Sequence, residues 1–383
     1  IIIALTIVVC TDIFINPIFV ATMPTHKAYT EHNNNSLHIL MIFPKEKVKK
    51  LTKRLSECIY TPIISEEAFF KNTFIVEVAR GCANRCGFCL ASYMNLPLRS
   101  VQYEDVINAV DLGLRHTNKI ALLGAQISAH PRFNDICNYI HQRILNGESI
   151  EMSLSSLRVD AIVPGIIQTL VAAGQKTSTL AIEAGSERLR KVINKNLTQE
   201  QIFNAVDIAK ENGLKGLKFY GMIGLPTETE NDINEMIELA NRLKQAHKGF
   251  DISFGFSSFV PKPNTPFQWC GRENTKSLEN KSKLIKKEMH KIGISANVSS
   301  IKWDYWQAAL SRGDESFTDF LIEVYTKGGK LGAFKEAAVK NNINSEYYAS
   351  ENYSFEKTLP WDFIDVKPGK EFLIQEAERL LSL

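Results

Sequence analysis

From about residue 72 onward, short apolar runs alternate with helix-period segments, and this alternation limits the fold more than any other feature of the chain. Apolar strand candidates fall at residues 74–79, 119–124, 150–155, 177–183, 217–223 and 251–259. Two of the intervening segments open with capping boxes, Thr198 with Gln201 and Thr227 with Glu230. After Thr227, the residues Ile233, Met236, Ile237, Ala240 and Leu243 recur at helical spacing, so one face of that helix is buried. Strand–helix units in series imply a parallel sheet.

Alternation within the strands bears on how the sheet closes. Ile150, Met152 and Leu154 alternate with Glu151, Ser153 and Ser155; Ile252, Phe254 and Phe256 alternate with Ser253, Gly255 and Ser257. One face meets helices, and the other is polar and small. Parallel strands covered on both faces read as continuous apolar runs instead. The expected fold is α/β, a partial (β/α)6 TIM-like barrel with a polar lumen and a helical C-terminal extension. An open sheet with one wet face is the rival arrangement.

The first strand runs into R-G-C-A-N-R-C-G-F-C, which holds Cys82, Cys86 and Cys89. A C-x3-C-x2-C loop can wrap three thiolates around one face of a cuboidal iron–sulfur cluster. Three ligands for four irons leave one iron open to bind and reduce something. A zinc site needs four ligands, and the next histidine is as far away as His116. Disulfide frameworks belong to small secreted chains, and this one has 383 residues.

Polar segments recur where the other strands end, the side on which such folds build their sites. They are Gly124-Ala125-Gln126, Ser155 to Arg158, Glu183 to Glu187, and Gly221 to Glu228. The cysteine loop with these segments resembles the radical S-adenosylmethionine (SAM) superfamily. The resemblance implies a [4Fe–4S] cluster on the three cysteines, with SAM chelated at the open iron. It places Phe88 near the adenine and Gly124, Ala125 and Gln126 near the methionine amino group. Ser155 and Arg158 would lie near the carboxylate, with Glu183 and Ser186 at the ribose and carboxylate. Gly221, Met222, Ile223 and Gly224 would approach the adenine. Gln126 stands where the family has a glutamate; Met222 replaces an isoleucine, and the acid falls one place late at Glu228.

Segments 154–160, 182–188, 259–266, 310–314 and 359–363 extend the resemblance to a subgroup that often carries a cobalamin-binding domain ahead of the radical domain. It covers about residues 65–383. No D-x-H-x-x-G motif occurs in the chain, so cobalamin is expected only of a longer parent protein. Three regions follow: an N-terminal segment 1–70 as the remnant of a truncated α/β domain, the barrel at 71–270, and a helical extension at 271–383. Residues 1–9 read as a strand of that lost domain, with a signal or membrane segment as the alternative. Residues 45–54 and 276–291 read as solvated basic helix faces. The aromatics Trp303, Trp306, Phe317, Tyr325, Trp361 and Phe372 fit a helical cap over the barrel. His130 reads as a surface residue, with a substrate-facing role as the other option.

The implied activity is reductive SAM cleavage to a 5′-deoxyadenosyl radical, with methyl or sulfur transfer among the outcomes; the substrate is left open. A flavodoxin- or ferredoxin-type reductant would supply the electron. A net charge of +3 does not by itself point to nucleic acid. Seven cysteines, three of them clustered, suit a reducing cytoplasmic setting, and no membrane attachment is expected. Two rivals use the same cysteines: a methylthiotransferase acting on RNA or protein, and a non-catalytic electron carrier or scaffold.

Overall fold

The computed structural model describes residues 57–155 and 157–383, together with residue 55 and the strand segments 3–8, 17–22 and 47–49. Seven parallel strands form its centre: β1 (Thr73–Glu77), β2 (Lys119–Leu123), β3 (Glu151–Leu154), β4 (Thr177–Glu183), β5 (Gly216–Ile223), β6 (Asp251–Ser258) and β7 (Ser295–Val298). They fall into two hydrogen-bonded sheets. One contains β1, β2 and β3, with Ile59–Tyr60 antiparallel at its edge; the other runs β4 to β7 in order. Among the described residues, a single bridge joins the two, Leu157 beside Leu180.

Helices α1 (Tyr103–Leu114), α2 (Phe133–Leu145), α3 (Pro164–Ala172), α4 (Glu187–Val192), α5 (Gln199–Glu211), α6 (Glu230–Ala246) and α7 (Thr275–Lys291) connect the strands. Phe74 and Val76 on β1, Met152 on β3 and Ile252, Phe254 and Phe256 on β6 are buried in one core with Ile233, Met236, Ala240 and Leu243 of α6. The alternate residues turn the other way, and Glu151 and Ser153 are exposed. Register sets Lys218 beside Ser253, and Tyr220 beside Gly255. Gly255 gives the Lys218 stem room, for an added Cβ would lie 3.1 Å from Lys218 Cε. The fold is the expected partial α/β barrel with a polar inner face.

Differences from expectation are local. Strand β7 pairs parallel with β6, so the barrel continues past residue 270. Ser295-Ala-Asn-Val298 has no apolar run to announce a strand. The Thr198–Gln201 box is present, but α6 is capped by Thr229 with Asp232 and not by Thr227 with Glu230. Thr227 takes a φ of +63°, and Arg188 Nη2 donates to its carbonyl at 2.9 Å. Of the basic stretch 45–54, Val48–Lys49 pairs in parallel with Ile364–Asp365 as a strand and not as a helical turn. The stretch 1–9 is described only as the strand Ile3–Val8, antiparallel to Pro17–Thr22. The rest of both stretches lies largely outside the described residues.

Beyond β7 come α8 (Ile301–Ser311), α9 (Phe317–Thr326), α10 (Leu331–Lys340), α11 (Ser345–Ser350) and α12 (Lys370–Leu381). Trp306, Phe317, Phe320 and Phe334 make a second aromatic core there. Arg312 binds three backbone carbonyls, those of Tyr348, Cys270 and Glu351, and its guanidinium lies 4.0 Å from the Tyr353 ring centroid. Tyr325 stays outside, 69% exposed. No helix among the described residues is long and apolar enough to cross a membrane.

Candidate functional site

All three cysteines sit on the loop leaving the β1 edge. Gly81 permits its tight course: its φ is +90°, and a Cβ there would lie 2.2 Å from Asn95 O. Cys82 and Cys86 are buried; Cys89 is half-buried and precedes the helical turn Leu90–Met94. Cys89 N–H donates to Cys86 O at 2.9 Å, which keeps the second and third cysteines one turn apart. Burial pushes the Cys86 thiol up to about 12, against an opposing pull from the Lys195 charge. Burial also raises Cys89, while hydrogen bonds from Ser92 work the other way. Such thiols stay protonated until a metal displaces the proton.

Neighbouring strand ends close on this loop. The Cys82 thiol donates to Gln126 Oε1 at 3.2 Å and accepts from Asn84 Nδ2 at 3.4 Å. Cys86 Sγ lies 4.0 Å from Asn194 O, and Asn194 Nδ2 donates to Asn84 O and Arg85 O, both at 3.0 Å. Asn194 therefore clasps the cysteine loop from the segment after α4, with the left-handed φ of +56° that asparagine tolerates. Ser155 Oγ donates to Gly124 O at 3.2 Å, joining the third strand end to the second. A Cβ on Gly124 would sit 2.8 Å from Ala79 O, so glycine is required for this close approach.

Charge is concentrated between β3 and β4. The pairing of β4 with β5 slips between Ala181 and Glu183, and Glu183 takes a φ of +67°. Its carboxylate faces Lys195 Nζ at 3.3 Å, with the two side chains only 13% and 7% exposed. Arg158 holds Asp160 through two 2.8 Å bonds. Burial works against the Arg158 charge, but the hydrogen bonds and charge of Asp160 outweigh it and raise its pKa. Two cations thus stand beside the thiols. A cavity of about 370 Å³ opens at the β3–β4 seam, lined by Ser155, Thr177, Thr179, Gln175 and Tyr220.

On the far side, Phe88 and Met222 share an apolar cluster with Ala184, Leu225, Phe259 and Phe267. Gly224, at φ +72°, donates its N–H to Glu228 Oε1 at 2.8 Å. Glu228 Oε1 also takes a 2.7 Å bond from Lys281. Burial raises the Glu228 pKa, with Lys281 pulling the other way. Gly221 packs on the Phe256 ring and Ile223 lies in the main core, so their side-chain positions serve packing. Ala125 lies in the turn between Gly124 and Gln126.

Ser186 is 1% exposed; its hydroxyl caps α4 by accepting from Leu189 N–H and donates to Asp232. His130 is buried and not at the surface. Its Nε2–H donates to Val101 O at 2.7 Å, and Nδ1 accepts from Arg132 N–H at 3.1 Å. Lys195 and Asn194 were invisible to motif reading. Their one sequence signal is Asn194-Lys195-Asn196 after a short helix, a turn signature.

The donor set fits a cluster. Among the described residues, no three His, Cys, Asp or Glu side chains surround a single ion. A cuboidal cluster requires no such convergence, because each thiolate takes a different iron. The ligands present are cysteines alone, and the nearby carboxylates of Glu183 and Asp160 are already paired with cations.

Residues 76–240 match the family model of the radical SAM superfamily. The chain is 35% identical over 283 residues to the uncharacterized protein MJ0966 of Methanocaldococcus jannaschii, covering 72% of this chain and 61% of that one. It is 27% identical to a tRNA-2-methylthio-N(6)-dimethylallyladenosine synthase of Chromohalobacter salexigens, over 51% of this chain and 44% of that enzyme. The chain thus spans between two fifths and two thirds of the length of these relatives. A solved structure of the cobalamin-dependent SAM radical enzyme OxsB aligns with a TM-score of 0.42 at 14% identity, over 80% of this chain and 54% of that one. Residues 76–240 are thus the part of the chain that is similar to the radical SAM superfamily.

Proposed function

We propose that this chain is the catalytic barrel of a radical SAM enzyme that generates a 5′-deoxyadenosyl radical for hydrogen abstraction. The observation that carries the proposal is the meeting of the three-cysteine loop with four other strand-end segments on one face of the barrel. When bound, the cluster and SAM supply the electron transfer and the radical. The chain's residues supply the rest. Cys82, Cys86 and Cys89 hold the cluster, and Asn84, Gln126 and Asn194 fix their loop. Arg158 and Lys195 set positive charge where a methionine carboxylate would lie. Phe88 and Met222 offer an apolar wall for a purine, and Gly224 lets the adjoining turn pack against Leu278 of α7.

Buried free thiols suit a reducing cytoplasm, and a flavodoxin- or ferredoxin-type protein is the proposed electron donor. The barrel is proposed as residues 71–298, with the cap beyond it. Methyl or sulfur transfer is the proposed class of outcome. A methylthiotransferase reading draws on the names of several relatives. Among the described residues no second three-cysteine set is present: Cys137 and Cys270 are buried in separate cores, and the half-buried Cys58 points its thiol toward Glu77 O.

The test is 5′-deoxyadenosine formation by anaerobically reconstituted protein given dithionite and SAM. The parent should form it and Cys86→Ala should not. An intact cluster with no product in the parent would leave the electron-carrier reading standing.

A further inference from the structure

The segment after β6 crosses the strand-end face to reach the cysteine loop. Phe259 N–H donates to Ile223 O at 2.8 Å, extending β6 beside β5. Further on, Phe267 N–H donates to Gly87 O at 3.1 Å, and a Cβ on Gly87 would lie 2.7 Å from the Phe267 ring. Lys262 stands in the span between these anchors, flanked by Pro261 and Pro263. Its backbone is pinned on both sides. Thr265 Oγ1 donates to Lys262 O at 2.7 Å, and Ser311 Oγ of α8 donates to Pro261 O at 2.6 Å. Prolines fix φ at two neighbouring positions. The side chain therefore leaves the backbone from one defined place, where barrel and cap meet.

Lys262 is half-buried, with protein packed around its ammonium. Among the described residues it has no ion-pair partner, in contrast to Lys195 and Arg158. The charge that acts on it is Asp304 on α8, whose Oδ2 is already taken up by other donors. Asp304 Oδ2 accepts from Ser258 N–H at 3.2 Å, Ser258 Oγ at 2.8 Å and Ser299 Oγ at 2.5 Å. Burial pulls the Lys262 ammonium down to about 8, with Asp304 pulling it back up, so it remains mainly protonated at neutral pH. A cation drawn out of water without a counter-ion is costly to keep. A ligand that brings the missing anion would relieve that cost.

We infer that Lys262 binds an anionic group, a carboxylate or phosphate, on the substrate of the strand-end site. The inference rests on the radical-enzyme reading for its location. A lysine whose charge is met only by water at the junction is the bland alternative.

Competitive trace acetylation, mapped by mass spectrometry, separates the two. The reconstituted 383-residue chain would be labelled alone, with malonate, with inorganic phosphate, with SAM, and with sodium chloride at matched ionic strength. The exposed Lys302 serves as internal reference. Malonate or phosphate should slow labelling of Lys262 several-fold, while chloride leaves it unchanged and Lys302 is unaffected throughout. Protection by SAM equal to or greater than that by the dianions would assign the cation to the cofactor carboxylate and overturn the substrate assignment. No protection by either dianion, or equal protection by chloride, would overturn the site. Labelling needs no turnover, so the 5′-deoxyadenosine assay reports separately on the radical reaction.

Discussion

Glu183 and Lys195 each owe their burial to the other. Their atoms meet at 3.3 Å with both side chains nearly closed to solvent, so removing one leaves the other charge stranded. Lys195→Met should lower the free energy of unfolding by about 3 kcal/mol, read from a denaturant midpoint. Adding Glu183→Gln should recover part of that loss. An unchanged midpoint in the single variant would mean that water already satisfies Glu183. This pair also shows where residue-level reading of a sequence stops. The cysteines could be found because three ligands lie within one short loop. Asn194 reaches Cys86 across 108 positions of sequence, and only the folded topology brings the two together.

At the scale of elements, the strand end of β4 is locked to α6 through Asp232. This carboxylate is 3% exposed and takes hydrogen bonds from Ser186, from Arg188 at 2.5 Å, and from Thr229 N–H and Oγ1 at 2.8 and 2.7 Å. Burial favours its neutral form, but Arg188, Ser186 and Thr229 together outweigh burial and hold its pKa below the ordinary aspartate value. A depressed folded value means that the stabilisation is present above the unfolded pKa of about 4 and fades as pH falls through the folded one. Asp232→Asn should therefore cost about 2 kcal/mol at neutral pH. The gap between variant and parent should narrow in denaturant titrations repeated at pH values falling below about 4. A gap that stayed constant with pH would count against the ionic part of the network.

Strand positions were legible because β1 to β6 are short apolar runs between helix-period segments, and β3 and β6 also carry the alternation that burial on one side demands. The start of α6 was not, because Thr227-Glu-Thr-Glu-Asn-Asp232 contains two overlapping capping patterns. The tertiary bonds of Asp232 choose the second. Arg188 then holds Thr227 in a left-handed conformation that local propensity would not select. Strand β7 escaped detection for the opposite reason: its Ala296 and Val298 are only half-buried, so little apolar pattern is needed.

For the molecule as a whole, the sheet is less continuous than a barrel drawn from strand count alone would suggest. The strands from β1 to β3 form one plate and those from β4 to β7 another, with the bridge at Leu157 and Leu180 between them. Helix packing, chiefly of α3 on α2 and α5, carries the rest of the union. The connection from α3 to β4 passes through Gly174, where an added Cβ would meet nothing within 4 Å. A chain divided after Gly174 should therefore reassemble. Fragments 1–174 and 175–383, co-expressed, are expected to co-purify as one heterodimer, and failure to associate would show that the covalent link is needed for folding. The division would put the three cysteines on one polypeptide and Glu183, Lys195, Gly224 and Lys262 on the other. Fragment complementation would then turn assembly of the cofactor site into a bimolecular event, with neither half able to complete it alone.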